Sequence, residues 1–132
     1  MQDNPKYNNL INDVIDYLGD SINTAIDEGV MLNSIVADPG IGFGKTTEHN
    51  LEIINRLGEF QCLDVPILIG LSNKSFIGKT LNLEPAERVL PTAVANANAY
   101  INSVSIFRCH NTKENKLALE LTKRIRNSMV KF

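Results

Sequence analysis

Three short polar clusters hold the side chains able to do chemistry in this 132-residue sequence. The first, Asp38-Pro39-Gly40-Ile41-Gly42-Phe43-Gly44-Lys45-Thr46, sets one carboxylate, one aromatic ring and one lysine on a glycine-rich loop. The second is Ser72-Asn73-Lys74-Ser75 and the third is Arg108-Cys109-His110-Asn111. A carboxylate such as Asp38 suits a pair of N–H donors on a heterocycle, through two near-parallel charge-assisted hydrogen bonds; the alternative is an Asp-Pro-Gly turn that Asp38 caps. Arg108 and His110, two residues apart, project to the same side of an extended chain. A guanidinium with an imidazole suits a diphosphate, and the alternative is an edge salt bridge beside a structural histidine. Lys74 is either a ligand contact or a solvated loop lysine. Ser75 opens a helix, either as its N-cap or with a hydroxyl that helps receive a ligand carboxylate.

Gly44-Lys45-Thr46 invites a phosphate-loop reading, but that motif needs a glycine five positions before its second Gly. Pro39 stands there, and Asn73 stands at the equivalent place before Gly78-Lys79-Thr80. A dinucleotide G-x-G-x-x-G fails as well, because Lys45 occupies the last glycine position. His49, near a helix start with no partner in sequence, reads as a surface residue. Lys113, Lys116, Lys123, Arg124, Arg126 and Lys131 read as the solvated face of a final helix.

The elements that must position these clusters follow from hydrophobic spacing. Tyr7, Leu10, Ile11, Val14, Ile15, Leu18, Ile22, Ala25 and Ile26 form one stripe of a long amphipathic helix, ended by Asp27-Glu28-Gly29. The short apolar runs Ser34–Ala37, Pro66–Leu71 and Val104–Phe107 read as buried strands. Leu51, Ile54, Leu57 and Phe60 mark a helix, Phe76 to Arg88 holds a short helix and a loop, and an alanine-rich helix spans about Thr92 to Asn102. The last helix carries Leu117, Leu121, Ile125 and Met129 on one face, with Asn111 and Glu114 spaced as a capping box. Apolar strands recurring about every 30 residues, each followed by a helix, predict right-handed crossovers and a parallel sheet. All three strands then end on one rim, and ligands bind at such rims in parallel α/β folds.

Composition bounds the function. With 43% hydrophobic and 21% charged residues and no Trp, the chain reads as one globular unit, 1–132. Fifteen acidic against thirteen basic residues give a net charge of -2, which supplies no global field for nucleic acid or a membrane surface. No run approaches the roughly 18 apolar residues of a spanning helix, and MQDNPKYNN lacks signal-peptide features, so a cytoplasmic chain is expected. Cys62 and Cys109 form no zinc or redox spacing and are expected as buried free thiols.

Asp38 to Lys45 (DPGIGFGK), Gly70 to Gly78 (GLSNKSFIG), Arg88 with Thr92-Ala93, and Arg108-Cys109-His110 resemble, in order and spacing, the C-terminal half of the dihydropteroate synthases, the pterin-binding enzymes of folate biosynthesis. Met1 to Pro5 resembles the family's loop after its fifth strand. The resemblance implies an α/β fold, the C-terminal part of a (β/α)8 TIM barrel, with the chain supplying the last three strands and last four helices. It implies a transferase joining 6-hydroxymethyl-7,8-dihydropterin diphosphate to 4-aminobenzoate, with release of diphosphate. Carried over by position, Asp38 bonds the pterin N–H edge, Lys74 its carbonyl side, Phe43 packs on the aminobenzoate ring, Ser75 receives its carboxylate, and Arg108 and His110 hold the leaving diphosphate as the catalytic pair. It further implies Mg2+ with its protein ligand outside this chain, and a homodimer. The chain departs from the family at Asn73, Pro91 and Asn111, where Arg, Gly and Asp are common. A barrel of this class takes about 250 residues, so a fragment inactive alone is expected. The rival readings are a pterin-binding methyltransferase-type domain and a non-catalytic interaction fragment.

Overall fold

Apolar residues spaced by three and four wind the first described segment into α1 (Leu10–Asp27), which buries Leu10, Ile11, Val14 and Ile22. The computed structural model describes residues 9–129, so the Met1 to Pro5 segment and Tyr7 lie outside it. Asn9 caps α1 by accepting the Asn12 N–H at 3.2 Å. The expected stop holds: Glu28 is the C-cap and Gly29 takes a φ of +97°, open to glycine at little cost.

The strands are shorter than the apolar runs that announce them. The run Ser34–Ala37 is corrected to a 3-10 turn, Leu32–Ser34, and a single parallel bridge between Ala37 and Ile67. Pro39 has no N–H to extend that ladder, and Val36 is exposed. β1 (Leu68–Ile69) and β2 (Ile106–Phe107) pair in parallel, Leu68 with Ile106 and Ile69 with Phe107. On one side of β1, Ala37 N donates to Pro66 O at 3.0 Å and Leu68 N to Ala37 O at 2.8 Å. On the other, Ile106 N and Arg108 N donate to Ile67 O and Ile69 O at 3.4 and 3.0 Å. β1 is therefore the middle of the arc, and all three strand ends open on one rim, as expected. Ile67 and Leu71 are buried on either side of β1, so that run reaches beyond the ladder; Val104–Phe107 is not the buried strand expected, since only Val104 is buried while Ser105 and Ile106 are exposed at the sheet edge.

Helices α2 (Thr47–Asn55), α3 (Ser75–Leu81), α4 (Val89–Ile101) and α5 (Thr112–Arg126) complete the described chain. Ile11, Ile41, Ile53, Leu57, Phe60, Ile67, Ile69 and Leu71 fill the core between helices and strands. Several expectations need correction. Leu51 is exposed, while Leu57 and Phe60 are buried from a 3-10 segment, Leu57–Leu63, that follows α2. No capping box forms at α5: Asn111 makes no side-chain cap, and its carbonyl accepts Asn115 Nδ2 at 2.8 Å. Asn115 is buried against Asn96, whose Nδ2 donates to Asn115 Oδ1 at 2.7 Å, while Asn96 Oδ1 has no partner. Leu117, Leu121 and Ile125 of α5 are 60, 62 and 65% exposed. Cys62 is exposed and Cys109 half-buried, against the expectation of buried thiols. Among the described residues, no helix is long and apolar enough to cross a membrane.

Candidate functional site

The loop after Ala37 is folded back by its own polar groups. Asp38 Oδ1 accepts the Gly40 N–H at 2.8 Å, so the turn that its sequence allows does form. Lys45 Nζ is drawn inside, donating to Gly40 O and Phe43 O, each at 2.9 Å. Gly42 has a φ of +89°, a conformation that favours glycine, and the lysine stem passes beside it, with Lys74 Cδ at van der Waals distance from where a Cβ would stand. The Gly42 N–H is taken by Oδ1 of buried Asn50 at 2.9 Å. Asn50 belongs to α2, whose first turn is closed by a capping box: Thr46 Oγ1 accepts the His49 N–H and His49 Nδ1 accepts the Thr46 N–H, both at 3.1 Å. His49 is thus a cap of the helix rather than a surface residue without a partner.

The second cluster is held from α4. Asn73 sits in the left-handed region at φ +55°, a conformation asparagine tolerates better than most residues. Its N–H donates to Thr92 Oγ1 at 3.0 Å and its carbonyl accepts Arg88 Nη1 at 2.9 Å. Lys74 then reaches across to Ile41 O at 2.7 Å and lies 5.2 Å from the centre of the Phe43 ring. Ser75 is exposed and is the first residue of α3, with Lys74 at the cap position, so Ser75 is not the N-cap.

The third cluster leaves the end of β2. Arg108 lies across β1 where Gly70 has no side chain; a Cβ there would stand 3.3 Å from Arg108 Nη2. The ion pairs among the described residues join Arg56 to Glu52 and Glu59 at 2.8 and 2.6 Å, far from this edge in sequence, so the salt-bridge alternative for Arg108 has no partner. His110 is tied to the second cluster: its N–H donates to Ser72 Oγ at 3.1 Å and its Nδ1 lies 2.8 Å from the same oxygen.

Gly70, Ser72, Lys74, Arg108, Cys109 and His110 line one cleft of about 420 Å³. Asp38, Phe43 and Lys45 line a neighbouring cleft of about 550 Å³ against α1, where Asp13 and Tyr17 face them. The structure therefore brings Lys74, Arg108 and His110 together. Asp38 and Phe43 line the other cleft, with the Phe43 ring 5.2 Å from Lys74 Nζ, and Ser75 lines neither. Burial pushes the Lys74 and Lys45 ammonium groups below the ordinary lysine pKa, and the Asp38 charge opposes both shifts. Arg108 adds a smaller downward push on Lys74, and Lys74 adds one on Lys45. Sequence reasoning missed Ser72, Asn50 and the Arg88/Thr92 bracket as the groups that hold the site. Ser72 directly follows the second apolar run, but its contact with His110, 38 residues on, appears only in the fold.

Among the described residues no group of three or more His, Cys, Asp or Glu is placed to hold a metal ion. The Mg2+ that the resemblance implies therefore has no multi-carboxylate cage among the described residues.

A family model described as pterin binding enzyme matches residues 1–110. A dihydropteroate synthase of Clostridium beijerinckii is 43% identical over 122 residues, 92% of this chain and 45% of its own length. A dihydropteroate synthase from Thermus thermophilus solved in complex with 4-aminobenzoate superposes with a TM-score of 0.87 at 33% identity, covering 92% of this chain and 49% of that one. The same enzyme in complex with 6HMPPP superposes with a TM-score of 0.86 at 34% identity, with the same coverage. The chain spans about half the length of these relatives. The superposition lays its parallel strands and flanking helices on part of a (β/α)8 barrel.

Proposed function

The chain belongs to the pterin-binding enzyme family, and on that premise we propose that its polar rim is part of a dihydropteroate synthase site, condensing 6-hydroxymethyl-7,8-dihydropterin diphosphate with 4-aminobenzoate. The observation that carries this reading is the cleft in which Lys74, Arg108 and His110 converge with no carboxylate in its lining, Asp38 standing in the neighbouring cleft. Such a cleft favours a multiply charged anion, and diphosphate is the anion that the reaction releases.

Each side chain has a task its geometry allows. Arg108 and His110 hold the diphosphate and stabilise the negative charge that grows as the bond from the pterin methylene carbon to oxygen ionises, its electron pair leaving with diphosphate. The aminobenzoate nitrogen then attacks that carbon, a C–N bond forms, and the nitrogen loses a proton. Asp38 Oδ1 already takes one N–H from Gly40, but a carboxylate accepts several hydrogen bonds, so the pterin N–H edge can share it. Lys74 contacts the pterin carbonyl side. The Phe43 ring, 54% exposed, offers its face to the aminobenzoate ring, and the Ser75 hydroxyl receives the carboxylate. One partial pterin-binding domain over 1–132, a cytoplasmic location, a homodimeric assembly and a place in folate biosynthesis go with this reading.

Calorimetry tests it. Pterin diphosphate should bind first and 4-aminobenzoate only afterwards, and Arg108→Ala should weaken the first step by roughly 10- to 100-fold, the worth of hydrogen bonds to a charged group. A pterin without diphosphate that binds as tightly, and is indifferent to Arg108→Ala, would point to the methyltransferase-type reading. No uptake of either ligand would leave only an interaction module.

A further inference from the structure

We propose that Ser72 is a positioning residue for His110, holding the imidazole with its proton on Nε2 so that a hydrogen-bond donor always faces the anion cleft. A serine hydroxyl has one proton and two lone pairs. One lone pair of Ser72 Oγ takes the His110 backbone N–H at 3.1 Å, and Nδ1 of the same residue stands 2.8 Å away. Turning the hydroxyl proton onto Nδ1 satisfies both groups and makes Nδ1 an acceptor, which leaves the ring proton on Nε2. When the ring gains a second proton, Nδ1–H donates to the remaining lone pair of Oγ, and Nε2 keeps its own. The donor on Nε2 therefore persists in both states.

The serine is itself fixed. Its neighbour Asn73 is gripped at both ends of the residue, N–H to Thr92 Oγ1 and carbonyl to Arg88 Nη1, at 3.0 and 2.9 Å. Thr92 is 1% exposed and donates its own hydroxyl to Arg88 O at 2.6 Å, so its rotamer is set by α4. A chain of contacts thus runs from the start of α4 through the loop to the imidazole. This matters more because Asn111 follows the histidine without supplying a carboxylate to orient it, and the Asn111 carbonyl is engaged by Asn115. The proposal rests on reading Arg108 and His110 as the diphosphate holders.

With only two histidines in the chain, nitrogen-15 correlation spectra read each ring's tautomer directly, and His110→Asn assigns the signals. The wild-type His110 ring should show the Nε2–H form, Ser72→Ala should mix the tautomers, and Ser72→Thr should restore it. Thr92→Val should move the population in the same direction as Ser72→Ala, while Thr92→Ser should not. Calorimetry with inorganic pyrophosphate should show a roughly tenfold loss for Ser72→Ala, regained in Ser72→Thr. A Ser72→Ala protein with the wild-type tautomer population overturns the proposal. A wild-type protein that ignores pyrophosphate but whose tautomer depends on Ser72 overturns the diphosphate reading and leaves the positioning role standing.

Discussion

Lys74 owes its chemistry to the burial of its stem. Burial disfavours the ammonium, Asp38 favours it, and Arg108 disfavours it again, so the net shift is downward from 10.5. Lys45 behaves alike, with burial as the leading cause. A lysine whose folded pKa lies below its unfolded one binds fewer protons when folded, so its contribution to stability rises with pH between the two values and stops rising at 10.5. In carbon-13 spectra of reductively methylated protein, the Lys45 and Lys74 signals should titrate below 10.5, and Lys74→Met should remove the second of these. Asp38→Asn should lower both midpoints further, because it deletes the charge that opposes the shift; midpoints that stay put would refute this account of the rim. The polar rim itself was legible, because Asp38 and Arg108 directly follow apolar runs and Lys74 and His110 stand within three residues of one. Ser72 was not, because a serine in a turn looks like any other, and only the three-dimensional neighbour 38 residues away gives it a task.

At the scale of elements, the Arg88 side chain, from the cap of α4, lies against α3 where Gly78 carries no methyl group. A Cβ on Gly78 would collide with the Arg88 guanidinium. That guanidinium is pinned by Leu83 O, through Nε at 3.3 Å and Nη2 at 3.2 Å, and by Asn73 O. Glycine in a helix costs about 1 kcal/mol relative to alanine, so in open space Gly78→Ala would stabilise. Here the clash should win, destabilising by about 1–3 kcal/mol as overpacking does. Urea unfolding decides the sign, and Gly78→Ala with Arg88→Ala should recover part of the loss; a plain gain in stability from the single change would show that Arg88 yields freely. Element order was readable from hydrophobic spacing, since α1 ends at its glycine and the rim faces one way. Strand length was not: Ile67, Ile69 and Leu71 are apolar and buried, yet only Leu68–Ile69 forms a strand. The α2 cap was equally hidden, because histidine rarely closes a capping box that Glu or Gln usually completes.

At the scale of the molecule, the sheet is an open arc with apolar side chains exposed near both ends. Met31 and Val36 are exposed on the Ala37 side, and α5 shows Leu117, Leu121 and Ile125 after β2. Periodicity tells which residues share a helix face, not what lies opposite, so the stripe on α5 looked like a buried one. Leu121→Lys should leave stability within about 0.5 kcal/mol, the range of surface substitutions, while lowering self-association in light scattering. A melting temperature that drops by many degrees would mean that Leu121 packs inside. The rim has a kinetic consequence as well. A chain of net charge -2 still gathers Lys45, Lys74 and Arg108 near Asp38 at the strand ends, so a dianion reaching that rim meets local attraction despite the overall negative charge. Its capture is steered rather than random, over a reach that salt sets at about 10 Å in 0.1 M electrolyte; the encounter rate, not only the affinity, is written into the placement of three cations.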